Sequence, residues 1–133
     1  MIVALHRISG RWSVKVMSAV SAIVCGIARE SAAFAALIAC TNVISRKCAK
    51  KHGVELKAMT IDAESTLDRR GTQLLEEIEV PFPKIRLLVD VTTDASEADL
   101  EKVKADLHRF CPISKVVRNS GTELEEVWNV TRP

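Results

Sequence analysis

Apolar positions along this chain follow two different periods, and the places where the period changes divide it into elements. From residue 84 to residue 93, Ile85, Leu87, Val89 and Val91 fall on alternate positions. That spacing predicts a strand with one buried face. Residues 54–68 alternate in the same way, first through Val54, Leu56 and Ala58, then through Met59, Ile61 and Ala63. They predict a long antiparallel strand, and the change of face near Ala58 predicts a bulge there. Residues 2–5 and 13–17 are short, apolar and rich in β-branched residues, with Gly10 between them. They read as a hairpin-like pair. Residues 122–131 predict a closing strand with Leu124, Glu126, Trp128 and Val130 on one side.

Helical patterning appears in two places. Residues 30–53 open with Glu30 and an uncharged, alanine-rich half, and contain no Pro or Gly before Gly53. Alanine is the best helix former, and Arg46, Lys47, Lys50, Lys51 and His52 suit the negative end of the helix dipole before the Gly53 cap. The first half is apolar on every side, which predicts a buried helix. One small sheet covers only one face, so a second sheet or a second subunit is implied, and we expect a homodimer with two such helices side by side. The other helical region starts at Ser96, an N-cap followed by Glu97 and Asp99. Leu100, Val103, Leu107 and Phe110 follow at helical spacing. Cys111-Pro112 breaks it and opens a second short helix over residues 113–118, stopped by Asn119-Ser120-Gly121.

The intervening segments are less regular. Arg69-Arg70-Gly71 ends the preceding strand, residues 73–80 are acidic, and Pro81-Phe82-Pro83 forms an extended linker. Residues 18–28 read as either a third strand or an approach to the long helix. The expected architecture is a single α+β domain over residues 1–133 with an antiparallel sheet.

Composition narrows the function. The chain has 133 residues, 47% of them apolar and 27% charged, with a net charge of +2. There is core enough for one domain, but no concentrated basic face or aromatic platform for nucleic acid. The four cysteines, Cys25, Cys40, Cys48 and Cys111, include no C-x-x-C clamp, so a zinc site is not expected. An apolar run over residues 16–28 follows Arg11 and Lys15 in the manner of a signal peptide. It is too short to span a bilayer, and Arg29 and Glu30 interrupt it. A buried segment and a cytoplasmic protein without membrane attachment are expected.

The chemistry rests on the thiols. Cys40 and Cys48 share one helix about 12 Å apart, too far to bond within one chain. Cys25 and Cys48 read as small hydrophobes. Cys111 falls at a helix N-terminus, where the dipole favours thiolate. On spacing alone, Cys40 as core filler and Cys111 as a cap are as good a reading as a functional pair. Glu30 either stabilises the first turn of the helix or orients an arginine toward Cys40. Without such a cation, burial raises a thiol's pKa and leaves it unreactive.

Two motifs carry a resemblance. The run from Glu30 through alanine-rich sequence to Cys40-Thr41, and the stretch Phe110-Cys111-Pro112-Ile113-Ser114-Lys115-Val116-Val117, are similar to the two cysteine motifs of the OsmC/Ohr family, in the same order and with matching separation. The resemblance covers residues 29–130. It implies an OsmC-like fold, with a sheet packed on a long central helix in an intertwined homodimer. It also implies a thiol-dependent peroxidase for organic hydroperoxides, with Cys40 as peroxidatic and Cys111 as resolving cysteine and a Cys40–Cys111 disulfide in the cycle. Glu30 matches the glutamate that holds a catalytic arginine. A dithiol, often a protein-bound lipoyl group, is the implied reductant, and no metal or other cofactor is needed. The family's Asn-Pro before the glutamate is replaced here by Ala28-Arg29, and the region before the helix is short against the family pattern. Arg7, Arg11 and Arg29 are all candidates for the arginine, with Arg11 preferred. The alternative is the same fold without peroxidase activity, a dimeric module binding a hydrophobic small molecule around Cys40.

Overall fold

In the computed structural model the described residues are 2–8, 11–17 and 29–133, with side chains from Ala33 onward. Strands β1 (Ile2–Ile8) and β2 (Arg11–Met17) form the expected hairpin and run longer than the apolar pattern alone indicated. The segment 18–28, read as strand or approach, lies outside the described residues, as do the Cys25 thiol and Gly10. Helix α1 (Arg29–Lys51) follows, then β3 (Ala58–Ser65), the single turn α2 (Arg69–Thr72), β4 (Lys84–Thr92), α3 (Glu97–Phe110), α4 (Pro112–Asn119) and β5 (Glu123–Thr131).

The five strands lie side by side in chain order. The first three pairings are antiparallel, but β5 runs parallel to β4, with Lys84 opposite Glu123 and Thr92 opposite Thr131. The sheet is therefore mixed, which corrects the antiparallel expectation. The physical reason is the connection. Two helices, α3 and α4, intervene between β4 and β5 and carry the chain back to the edge where β4 began, as a parallel crossover requires.

Alternation holds where it was expected. Met59, Ile61 and Ala63 of β3 and Ile85, Leu87, Val89 and Val91 of β4 are all buried against the helices. They form one core with Phe34, Leu37, Ile38, Cys48 and Ala49 of α1 and Leu100 and Val103 of α3. On the opposite face of β3, β4 and β5, Lys84 holds Glu123 and Glu125, and Arg86 reaches Glu64 and Glu125.

Three expectations need correction. The strand predicted over residues 54–68 is only Ala58–Ser65. Residues 54–57 are instead held by the helix end and by the Thr93 side chain, whose Oγ1 donates to the Glu55 carbonyl at 2.7 Å. The face change at Ala58 is thus the start of the strand, not a bulge. Residues 69–72 form a helical turn capped by Asp68, whose side chain accepts from the Arg70 N–H. Finally, α1 is not buried all round. Phe34, Leu37, Ile38, Thr41, Ser45, Cys48 and Ala49 are buried, but Ala33, Ala36 and Val43 are exposed along one stripe. Among the described residues nothing covers that stripe.

The helix ends follow the sequence closely. Gly53, at φ +67°, closes α1, with Gly53 N–H donating to Lys50 O and Val54 N–H to Ala49 O. This double bond pattern satisfies carbonyls that the helix leaves free. Ser96 caps α3 by accepting from the Asp99 N–H. Among the described residues, no helix is long and apolar enough to cross a membrane.

Candidate functional site: a thiol pair at a helix junction

Cys111 occupies a corner. It is the last cap of α3, with its N–H donating to Leu107 O, and the first cap of α4, with its carbonyl accepting from Lys115 N–H. Pro112 cannot donate and has a φ suited to a first helical turn, so it fits where α4 begins. The corner turns the Cys111 side chain inward, fully buried, against α1. There its Sγ lies 3.4 Å from the Sγ of Cys40, with the Cys111 thiol donating. Both are free thiols, and Cys40 is half-buried. A disulfide needs about 2.05 Å, so a small approach of the two sulfurs would close one.

The start of α4 acts on Cys40, a sulfur that belongs to another helix. Cys111 makes no side-chain cap hydrogen bond to its own helix. The backbone N–H of Ile113, in the first turn of α4, is close enough to Cys40 to favour its thiolate. Burial outweighs this and pushes the Cys40 thiol above its ordinary value, and the neighbouring Cys111 pushes the same way, because two thiolates in contact repel. No cation is among the described groups acting on Cys40. Three buried hydroxyls lie on the same two helices, Thr41 and Ser45 on α1 and Ser114 on α4, and their oxygens have no partner among the described residues.

The remaining predicted site residues lie at the edge of what is described. Glu30 is the second residue of α1, and Arg29 the first. Arg7 lies on β1 opposite Trp12, and Arg11 opens β2 opposite Ile8. The side chains of all four fall outside the described residues, so their contacts with Cys40 do too. Cys48 is buried in the core, its thiol held up by burial first and by the charge of Asp106 second.

A cluster the sequence did not reveal joins α1 to α3. Asp106 is almost completely buried and accepts from Lys51 Nζ at 2.6 Å and His52 Nε2 at 2.9 Å, with Arg109 at 3.8 Å. Lys51 and then His52 hold its carboxyl below the ordinary range. The only advance signal was the basic end of α1, which the dipole argument had already absorbed. Across the groove between α3 and β5, Glu126 faces the helices beside Trp128, and burial pushes its carboxyl up. Among the described residues no cluster of His, Cys, Asp and Glu could hold a metal ion.

The family described as OsmC-like protein matches residues 30–126. A search of curated protein sequences found no significant match. Solved structures share the fold at low identity. A hypothetical protein from Aquifex aeolicus VF5 is 18% identical over 99% of this chain and 96% of its own, with a TM-score of 0.66. The organic hydroperoxide resistance protein OhrB of Bacillus subtilis is 20% identical over 96% of each chain, with a TM-score of 0.56. An organic hydroperoxide resistance protein OsmC from Legionella pneumophila is 16% identical over 98% of this chain and 95% of its own, with a TM-score of 0.53.

Proposed function

This chain belongs to the OsmC-like protein family, and from that premise we propose that it reduces organic hydroperoxides through a thiol cycle on Cys40 and Cys111. The observation that carries the reading is the pair of free thiols 3.4 Å apart. The names of the Bacillus and Legionella relatives support the substrate class.

In the proposed cycle the Cys40 thiolate attacks the terminal, hydroxyl-bearing oxygen of the peroxide. The O–O bond breaks, the alkoxide takes a proton and leaves as alcohol, and Cys40 becomes a sulfenic acid. The Cys111 sulfur then attacks that sulfenic sulfur, and a disulfide forms as water departs. A dithiol reduces the disulfide by exchange. Cys40 takes the first role because it is the less buried sulfur and the nearby Ile113 N–H favours its thiolate. Glu30 is assigned the holding of an arginine, from Arg7, Arg11 or Arg29, whose charge offsets the burial of Cys40. The functional unit is a homodimer that covers the exposed stripe of α1.

The test is turnover of an alkyl hydroperoxide with a small dithiol. Cys40→Ser abolishes consumption, and Cys111→Ser consumes one equivalent and stalls. Full activity in Cys40→Ser would overturn the assignment. A second reading, a dimeric module binding a hydrophobic small molecule, is favoured by the elevated Cys40 thiol. It requires that mild peroxide leave both thiols reduced.

A further inference from the structure

Beside the thiol corner the surface changes character. Phe110 and Pro112, the neighbours of Cys111 on either side, are both exposed, and Phe110 keeps 54% of its surface in solvent. Its ring is flanked by two cations, Lys51 Nζ at 5.6 Å and the Arg109 guanidinium at 5.2 Å from the ring centre. A groove of about 610 Å³ continues from it, lined by His108, Arg109, Phe110, Lys115, Arg118 and Asn119.

This groove contains no carboxylate. Three other grooves among the described residues do: one holds Glu64, one Glu101 and Glu126, one Glu55. The cations also differ in pairing. Lys57, Arg70, Lys84, Lys102 and Lys104 each hold a carboxylate at 2.6–3.1 Å. Among the described residues Lys115 holds none, and Arg118 donates to the His108 carbonyl. Arg109 shares Asp106, at 3.8 Å, with Lys51 and His52, so one buried carboxylate serves three basic groups. Glu126, in the adjoining groove, is the other carboxylate that Arg118 and His108 act on. Basic groups therefore outnumber carboxylates here, and an exposed aromatic sits among them.

We propose that this groove is the docking surface for an acidic segment of the protein that carries the reducing dithiol. The proposal rests on the peroxidase reading and adds the kind of partner. In the exchange, one partner thiolate attacks a sulfur of the Cys40–Cys111 disulfide and forms a mixed disulfide. The second partner thiol displaces the protein sulfur. The partner ends as a disulfide, and its two protons pass to Cys40 and Cys111. An acidic contact surface positions the dithiol at the corner where Cys111 lies, and raises the encounter rate by charge attraction.

Two synthetic peptides test this, each with one dihydrolipoyl-lysine, flanked in one by aspartates and in the other by lysines. With oxidised wild-type protein the acidic peptide should be the better reductant by about tenfold in kcat/KM at low salt, and the advantage should shrink as salt rises. The double substitution Lys115→Glu with Arg109→Glu should reverse the preference while leaving turnover with dithiothreitol unchanged. Equal rates for both peptides on the wild type, or a preference untouched by the charge reversal, would overturn the proposal. A second measurement separates it from the peroxidase reading. Peptides with norleucine in place of the modified lysine are followed by fluorescence anisotropy without peroxide. Selective binding of the acidic one, lost in the double variant, upholds the docking surface even if hydroperoxide turnover is absent. Failure of that selectivity sinks the docking surface whatever the turnover.

Discussion

The Sγ of Cys111 lies 3.4 Å from the Sγ of Cys40, though 71 positions separate them in the chain. The contact is made by a cap shared between two helices and by the middle of a third. Stoichiometric hydroperoxide should therefore convert the pair to one intramolecular disulfide. Intact-mass measurement should show the loss of two hydrogens, and peptide mapping should join the segments containing Cys40 and Cys111. Neither single serine variant should form this bond. A dominant crosslink through Cys48 would contradict the geometry.

Cys40 should titrate high when no cation is supplied to it. Burial favours its neutral thiol, so in Glu30→Gln, which releases the arginine, the thiolate fraction, and with it the alkylation rate, should be small at pH 7 and rise with pH, with a midpoint above the ordinary thiol value of about 8.5. Because Cys111 adds to the elevation, Cys111→Ser should move the midpoint down. Mass-resolved iodoacetamide labelling against pH reads both. A midpoint far below 8.5 in the wild type would put a guanidinium against the sulfur, as the family resemblance implies for Arg7, Arg11 or Arg29.

The uncovered stripe of α1 predicts self-association. Val43 is 52% exposed on a stripe that includes Ala33 and Ala36. Val43→Asp would place a charge in the contact between two copies and should weaken the dimer by about tenfold or more. Sedimentation equilibrium of wild type and variant checks this, and a monomeric wild type at micromolar concentration would remove the basis for it.

Gly53 should tolerate some replacements and not others. Its φ is +67°, and a Cβ added there meets nothing within 4 Å. The cost of substitution is thus conformational and not steric crowding by neighbours. Gly53→Val should destabilise by about 1–2 kcal/mol, and Gly53→Asn by less, since asparagine enters the left-handed region more readily. Urea unfolding of the three proteins measures the order. Equal losses for Asn and Val would point to a role for Gly53 beyond its backbone angle.

The alternation of Ile85, Leu87, Val89 and Val91, the Ser96 cap and the Cys111-Pro112 break were legible because each is a local rule, and each recurs in the structure. The direction of β5 was also within reach, since two helices between two strands imply a crossover, although the alternation within β5 is the same for either direction. Residues 54–57 misled because Leu56 is buried from an irregular segment, and period two does not distinguish that from a strand. The nearness of the two sulfurs came from family resemblance, since spacing could not choose between filler and reagent. The Ile113 N–H acting on Cys40 was beyond sequence reasoning, which sees a helix dipole only along its own helix.

The corner at Cys111 also bears on how long the spent protein lasts. A bond from there to Cys40 closes a ring of some seventy residues, which by chain entropy alone would add about 4 kcal/mol of stability. Catalysis of this kind would leave the exhausted molecule sturdier than the fresh one. Under peroxide stress the population would drift toward its hardest-to-unfold form, so inactive protein would persist against proteases until a reductant reset it.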